Sequence, residues 1–115
     1  MNSKPNISLL YDFYGELLQA SQQRVIELYV NDDLSLSETA DILGISRQGV
    51  RDSLSRAEKK LNEYESKLGL LEAYRRRIER NDKIRLNLSK IKTADDPADI
   101  AGLIDEIEEL LKGDD

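Results

Sequence analysis

The 115-residue chain contains no cysteine, no histidine and no tryptophan, and it has only two prolines. Without cysteine it cannot form disulfides or thiolate metal sites, and it has no cysteine nucleophile. Without histidine it lacks the commonest general base and the commonest transition-metal ligand. We therefore expect no catalytic residues, no metal site and no cofactor, and we do not expect an enzyme.

Long apolar runs are also missing. No stretch approaches the roughly 20 residues that a membrane span needs, and the polar N-terminus does not resemble a signal peptide. We therefore expect a cytoplasmic protein with no membrane partner. Charged residues make up 35% of the chain and hydrophobic residues 39%, a balance that is typical of a helical protein.

The charges are unevenly distributed along the chain. The formal net charge is −6, which is unfavourable for a nucleic-acid binder. Residues 47–60, however, contain five basic and two acidic side chains, and residues 75–92 contain eight basic and two acidic side chains. Because charges act mainly within a Debye length of about 8–10 Å, these basic islands can attract phosphates despite the total.

The spacing of apolar residues predicts an all-α protein. A first helix is expected over about residues 6–19, and Ser21 can cap a second. Ser35 and Glu38 have the spacing of a capping box, which predicts a third helix, and Gly44 is suited to end it.

A fourth helix is predicted from Ser46, its cap, to Leu68, and Gly69 is a suitable stop. Its apolar seam predicts packing along its whole length. The seam residues are Val50, Leu54, Ala57, Leu61, Tyr64 and Leu68.

A fifth helix first continues with an apolar line of Leu71, Tyr74 and Ile78. The later apolar residues lie on a different side of the helix, so we expect a kink, a break or a change of partner near residues 80–84. Asp96 followed by proline predicts the start of a last helix.

The stretch from Leu36 to Leu54 has the spacing of a helix-turn-helix. Ala40 is the small residue where the helices meet, Gly44 is the turn residue, and Val50 locks the second helix. Leu43, Ile45 and Leu54 are expected to point inward. Such an arrangement presents the start of the second helix to a DNA major groove. The alternative is an ordinary helical hairpin with a tight glycine turn.

Polar residues of this second helix are therefore candidates for nucleic-acid binding. Arginine and glutamine are residue types that read guanine and adenine edges, and basic residues further along meet phosphates. The acidic Asp52 on the same face weakens the attraction for phosphates. The candidates are Ser46, Arg47, Gln48, Arg51, Asp52, Ser55, Arg56 and Lys59.

A second candidate surface is the stripe of Arg76, Arg80 and Lys83, which we call the arginine stripe. On a helix these residues are expected to point outward, opposite Leu71, Tyr74 and Ile78. One interpretation is a phosphate-tracking surface for RNA or DNA. The other is a solvated face, or a partner for the acidic last helix.

The chain is therefore predicted to contain a helix-turn-helix domain over residues 1–68 and a C-terminal helical extension over residues 69–115. The last helix has six large apolar residues within residues 100–111. This predicts a homodimer or higher oligomer through the extension, and a two-fold dimer would supply two recognition helices. Alternatively, this face packs on the fourth helix of the same chain.

The run DLSLSETADILGISRQGVRDSLSRAEKKLNEYESKLGLLE, with QQRVIELYVNDDLSL and LLYDFYGELL before it, resembles the YlxM family of small bacterial proteins. The resemblance covers about residues 7–75, and Ser46, Arg47, Gln48 and Val50 fall on the family's recognition-helix motif. It implies a fold similar to the fourth region of sigma factors, with a long recognition helix. It also implies a regulatory DNA-binding role and an accessory role in the signal recognition particle pathway, and it brings no catalytic residues.

Two functions are consistent with these observations. The first is a helix-turn-helix regulator that binds duplex DNA. The alternative is an adaptor that docks on the RNA or the GTPase of the signal recognition particle without sequence-specific DNA binding. We do not expect a sigma factor itself, because these 115 residues lack the separate regions that melt promoters and bind core polymerase.

Overall fold

The computed structural model describes residues 3–113, in which every regular element is helical. The all-α prediction is therefore confirmed. The chain forms two compact units, Met1–Leu71 and Glu72–Asp115, which we call the first and second unit. The elements are α1 (Lys4–Tyr14), a 3-10 turn (Gly15–Leu17), α2 (Ala20–Ile26), a π-helical turn (Glu27–Asn31), α3 (Leu36–Leu43), α4 (Arg47–Leu68), α5 (Leu70–Thr93) and α6 (Pro97–Lys112).

The first unit is built around α4, which contacts α1, α2 and α3. Side chains from three of these helices meet in its core, where Leu10, Ile26 and Leu61 are at most 1% exposed. Burial of each large apolar side chain contributes about 1.5–3 kcal/mol. The packing around α4 therefore supplies the rigid support for its exposed face.

The predicted third helix is confirmed at both ends. The Glu38 backbone N–H donates to the Ser35 hydroxyl, and the Ser35 N–H donates to the Glu38 carboxylate, both at 3.0 Å. Gly44 follows the helix in the left-handed region, with φ 67°. Because glycine has no Cβ, it adopts this conformation without strain.

The predictions for the first two helices are wrong in their bounds. The helix expected over residues 6–19 ends at Tyr14 and gives way to the 3-10 turn. The Gln23 side-chain amide donates to the Gly15 carbonyl at 2.7 Å, which satisfies a carbonyl at the end of α1. The next helix begins after Gln19 rather than Ser21, and the Gln19 N–H donates to the Gln22 side chain at 3.3 Å.

α4 begins after Ser46 and ends before Gly69, which has φ 64°, so both predicted ends are confirmed. The seam is buried from Val50 to Leu61, but Leu68 is 58% exposed. The expectation of packing along the whole helix is therefore wrong for its last turn. Ile45, which was expected to point inward, is 44% exposed because it lies in the turn before the helix.

α5 runs without interruption through residues 80–84, so a break at this point is wrong, and of the expected alternatives the change of partner agrees with the burial. The helix contains no glycine or proline, the residues that most often break one. The change of apolar line instead reflects different surroundings. Leu71 is 3% exposed within the first unit, whereas Ile84 and Ile91 lie in the second unit and are only half-buried.

The second unit is a hairpin of α5 and α6 joined by residues 94–96. Asp96 caps α6 through a 2.9 Å hydrogen bond from the Ala98 N–H, which confirms the predicted start. The Asn87 side chain donates to the Leu103 carbonyl at 3.4 Å and to the Glu106 carboxylate at 2.9 Å. The functional division at residue 68 stays a prediction, and residues 1–2 and 114–115 of the two predicted ranges lie outside the described residues.

Candidate nucleic-acid interface

α3 and α4 pack against each other through the small and branched residues that the spacing singled out. Ala40 is 5% exposed and Val50 is fully buried. The Ile45 N–H donates to the Ala40 carbonyl at 3.1 Å, which closes the turn around Gly44. The two helices and their glycine turn therefore form a helix-turn-helix, with α4 as its second helix.

The first turn of α4 is well capped and open on its outer side. The Ser46 hydroxyl accepts a 2.9 Å hydrogen bond from the Gly49 N–H. Free backbone N–H groups and the helix dipole make such a terminus favourable for a phosphate. All eight candidate residues of this helix and its cap are exposed: Ser46, Arg47, Gln48, Arg51, Asp52, Ser55, Arg56 and Lys59.

Gln48 and Asp52 form a pair on this exposed face. The Gln48 side-chain amide donates to the Asp52 carboxylate at 2.9 Å, across one turn of the helix. This bond occupies one amide hydrogen and leaves the second hydrogen and the amide oxygen available. Asp52, which the sequence presented only as an unfavourable charge, therefore also orients Gln48.

The arginine stripe lies in different surroundings from those of α4. Arg76, Arg80 and Lys83 line one wall of an open groove of about 740 Å³ in the second unit, and Glu106 and Glu109 of α6 lie on the other wall. Arg80 is half-buried there, while Lys83 forms an ion pair with Glu79 at 3.4 Å. Lys83 thus has a carboxylate partner in its own unit, and Arg76 and Arg80 share the lining of the groove with carboxylates.

Two polar features of the structure were not found from the sequence. Asn87 lies between Ile84 and Ile91 at helical spacing, yet it is 6% exposed and faces α6. Tyr14 and Glu65 lie far apart in sequence but meet at the start of α5. The spacing of Asn87 was a usable signal, whereas nothing local indicated the second pair.

These features define the class of the protein: an all-α helix-turn-helix protein whose second helix is long and exposed at its start. The chain belongs to the UPF0122 family, described as "Putative helix-turn-helix protein, YlxM / p13 like", whose family model matches residues 1–100. The YlxM resemblance is therefore confirmed.

Relatives in the same family are similar over most of their length. The UPF0122 protein of Thermoanaerobacter sp. (strain X514) is 42% identical over 101 residues, 88% of this chain and 86% of the relative. That of Geobacillus kaustophilus is 41% identical over 104 residues, 90% and 93% of the two chains. That of Clostridium perfringens is 38% identical over 112 residues, 96% and 98%.

Among residues 3–113, no helix is both long enough and apolar enough to cross a bilayer.

Proposed function

We propose that this protein is a non-enzymatic, cytoplasmic regulator that binds duplex DNA through the start of α4, in the manner of the fourth region of sigma factors. The observation that carries the proposal is the exposed, capped first turn of α4 on a buried scaffold. In helix-turn-helix proteins, exposed polar side chains at the start of the second helix enter the major groove.

The side chains of α4 divide into base-reading and phosphate-binding groups. Gln48, held by Asp52, presents an acceptor and a donor that match the edge of adenine. Arg51 lies one turn further on the same face, and its guanidinium suits guanine. Arg47, Arg56 and Lys59 then supply phosphate contacts, and Ser46 and Ser55 supply hydroxyls.

The same proposal includes a homodimer. A helix-turn-helix reads few base pairs on its own, and two-fold dimers read two half-sites about one helical turn apart. A dimer would also double the number of cations that can meet the phosphates of one duplex.

A second candidate function is an accessory role in the signal recognition particle pathway, through the particle's RNA or its GTPase. The observation that favours it is the exposure of Arg76 and Lys83 on α5. Basic side chains in a row contact the phosphates of folded RNA without reading bases. The carboxylates of Glu106 and Glu109 on the opposite wall compete with phosphates, so DNA binding through α4 remains the first candidate.

The test is selection from a randomised duplex DNA pool, followed by affinity measurements on the selected duplexes. Gln48→Ala and Arg51→Ala should each reduce the preference for selected over random duplexes by about 1–3 kcal/mol. Lys67→Ala, an exposed substitution in the last turn of α4, is the matched control and should leave the preference unchanged. Failure to enrich any sequence would contradict base reading.

A parallel measurement with signal recognition particle RNA separates the two candidates. If the protein acts on this RNA, the double substitution Arg76→Ala with Lys83→Ala should weaken binding. It should also reduce the slope of log affinity against log salt concentration by about two at most. Gln48→Ala should have no effect on RNA binding. If duplex DNA is the ligand, Arg51→Ala with Arg56→Ala should reduce the slope instead.

A further inference from the structure

The second unit has two unlike faces. On one side lies the groove, whose lining combines charged side chains of both helices with Leu86 and Leu110. Residues two apart on a helix point about 200° apart, so Leu88 lies on the side of α5 away from the groove. The same periodicity places Ile104 of α6 opposite Glu106. The apolar face on this second side consists of Ile84, Leu88, Ile100, Ile104, Ile107 and Leu111.

This apolar face is incompletely covered within its own hairpin. Leu88 is 47% exposed, Ile104 43% and Leu111 55%, and α6 has no buried residue. Among residues 72–113, the only buried side chain is that of Asn87, which is polar. Two helices alone cannot bury faces this broad, and a contiguous exposed apolar patch marks an interaction site.

The charges of the two helices indicate what covers the face. Residues 72–93 of α5 contain eight basic and three acidic side chains, whereas residues 97–112 of α6 contain one basic and five acidic side chains. A partner that packs across both helices must therefore be acidic beside α5 and basic beside α6. A second copy of the same hairpin meets this requirement if each α5 lies beside the other chain's α6.

We propose that the apolar face binds the apolar face of a second copy of this chain across a two-fold axis parallel to the helices. The result is a four-helix bundle in which each α5 has α6 neighbours on two sides and the two α5 helices lie diagonally opposite. The proposal rests on the homodimer of the proposed function and assigns the surface through which that dimer forms. It does not depend on DNA binding.

The hydrogen bonds of Asn87 fix the heights at which charges meet in this bundle. They place residue 87 level with residues 103–106, so in an antiparallel hairpin Arg85 lies within about one helical turn of the height of Glu108. Both side chains are exposed at the outer edges of the apolar face. The two-fold axis brings Arg85 of each chain beside Glu108 of the other.

The apolar part of the proposal is tested by sedimentation of the full chain without nucleic acid, from low to tens of micromolar. The wild-type protein should sediment as a dimer, with twice the 13.1 kDa of one chain. Leu88→Gln should raise the dimer dissociation constant about tenfold or more. Leu86→Gln is the matched control, because Leu86 is 55% exposed but lies at the groove, and it should leave dissociation unchanged.

The charge pairing is tested by reversal and mixing. Arg85→Glu and Glu108→Arg should each weaken the homodimer, because each places like charges together at both edges. An equimolar mixture of the two variants should recover a dimer of wild-type strength, since both edges of the mixed dimer are complementary. Circular dichroism of each variant should show unchanged helicity, because both positions are exposed.

Three outcomes would overturn the proposal. A wild-type chain that is monomeric at tens of micromolar shows that a second copy does not cover the face. Equal effects of Leu86→Gln and Leu88→Gln place the interface elsewhere. A mixture of charge variants that stays monomeric rejects the pairing of α5 with α6. DNA affinity enters none of these measurements, so a failure of the proposed function is separately visible.

Discussion

The Tyr14 hydroxyl donates a 2.6 Å hydrogen bond to the Glu65 carboxylate, which joins α1 to the last turns of α4. The same hydroxyl accepts from the Leu70 N–H at 3.0 Å, and the same carboxylate oxygen accepts from the Leu71 N–H at 2.9 Å. The first backbone donors of α5 are thus satisfied by side chains from other helices. Tertiary contacts here perform the role that a local cap performs elsewhere.

The first prediction concerns this network. Tyr14→Phe removes a hydroxyl that is both donor and acceptor, and it leaves the Leu70 N–H without its partner in a partly buried site. We expect the free energy of unfolding to fall by about 1–3 kcal/mol, as for other unsatisfied buried groups. Urea denaturation monitored by circular dichroism measures this change. Tyr29→Phe is the control and should have an effect within about 0.5 kcal/mol.

Thr39 is the basis of a second prediction. Its side chain is fully buried on α3, and its hydroxyl oxygen has no hydrogen-bond partner among the described residues. Thr39→Val replaces the hydroxyl with a methyl group of similar shape and removes the cost of burying an unpaired polar atom. We expect the protein to be stabilised by about 1–3 kcal/mol.

Thr93 provides the comparison for this substitution. It is exposed at the end of α5, and its hydroxyl donates to the Lys90 carbonyl at 3.3 Å. Thr93→Val should therefore be close to neutral. A thermal melt that is lowered by Thr39→Val would show that the hydroxyl has a partner in solution.

The third prediction is a loss of stability at high pH. Burial first, and then the hydrogen bond to Glu27 and its charge, raise the pKa of Tyr11 from 10.0 to about 12. Burial and the hydrogen bond to Glu65 also raise the pKa of Tyr14. A raised pKa in the folded state means that this contribution to stability is complete below about pH 10 and is lost as the pH rises through the folded pKa.

Melting temperatures should accordingly fall between about pH 10 and pH 12, more steeply than between about pH 7 and pH 9. Tyr11→Phe should make that decrease shallower, because the variant has one fewer group that must lose a proton. A decrease of the same steepness in wild type and variant would contradict the assignment to Tyr11. Tyr29→Phe, at a half-buried tyrosine whose ring lies under the Lys4 ammonium at 4.2 Å, is again the matched substitution.

The accuracy of the sequence-based predictions follows the range of the interactions. Ser35, Ser46 and Gly44 were assigned correctly because each cap involves residues within three or four positions. The π-helical turn over Glu27–Asn31 could not be predicted, because its anchors come from α1. Tyr11 donates to Glu27 at 2.8 Å.

The same reasoning explains the outcome at the candidate sites. The exposure of Gln48 and the rest of the α4 face follows from the seam on the opposite side, so periodicity was sufficient. The surroundings of Arg80 depend on the position of α6. The periodicity of α5 carries no information about that position. The apolar line starting at Leu71 was extended to Ile78, which is 42% exposed in the structure.

The last prediction separates the two effects of Asp52 on DNA binding. Its negative charge repels phosphates, while its oxygen orients the Gln48 amide at 2.9 Å. Asp52→Asn removes the charge but keeps an oxygen that can accept from Gln48. We therefore expect Asp52→Asn to raise affinity for all duplexes and to leave the preference for selected duplexes unchanged. Asp52→Ala should also raise general affinity, but it should reduce the preference by up to about 1–3 kcal/mol, because the amide of Gln48 becomes free to rotate.

Affinities of both variants for one selected and one random duplex, each at two salt concentrations, measure the two effects independently. An unchanged preference in Asp52→Ala would show that Gln48 is held by the DNA itself, and an unchanged affinity in Asp52→Asn would show that this face of α4 does not meet phosphates.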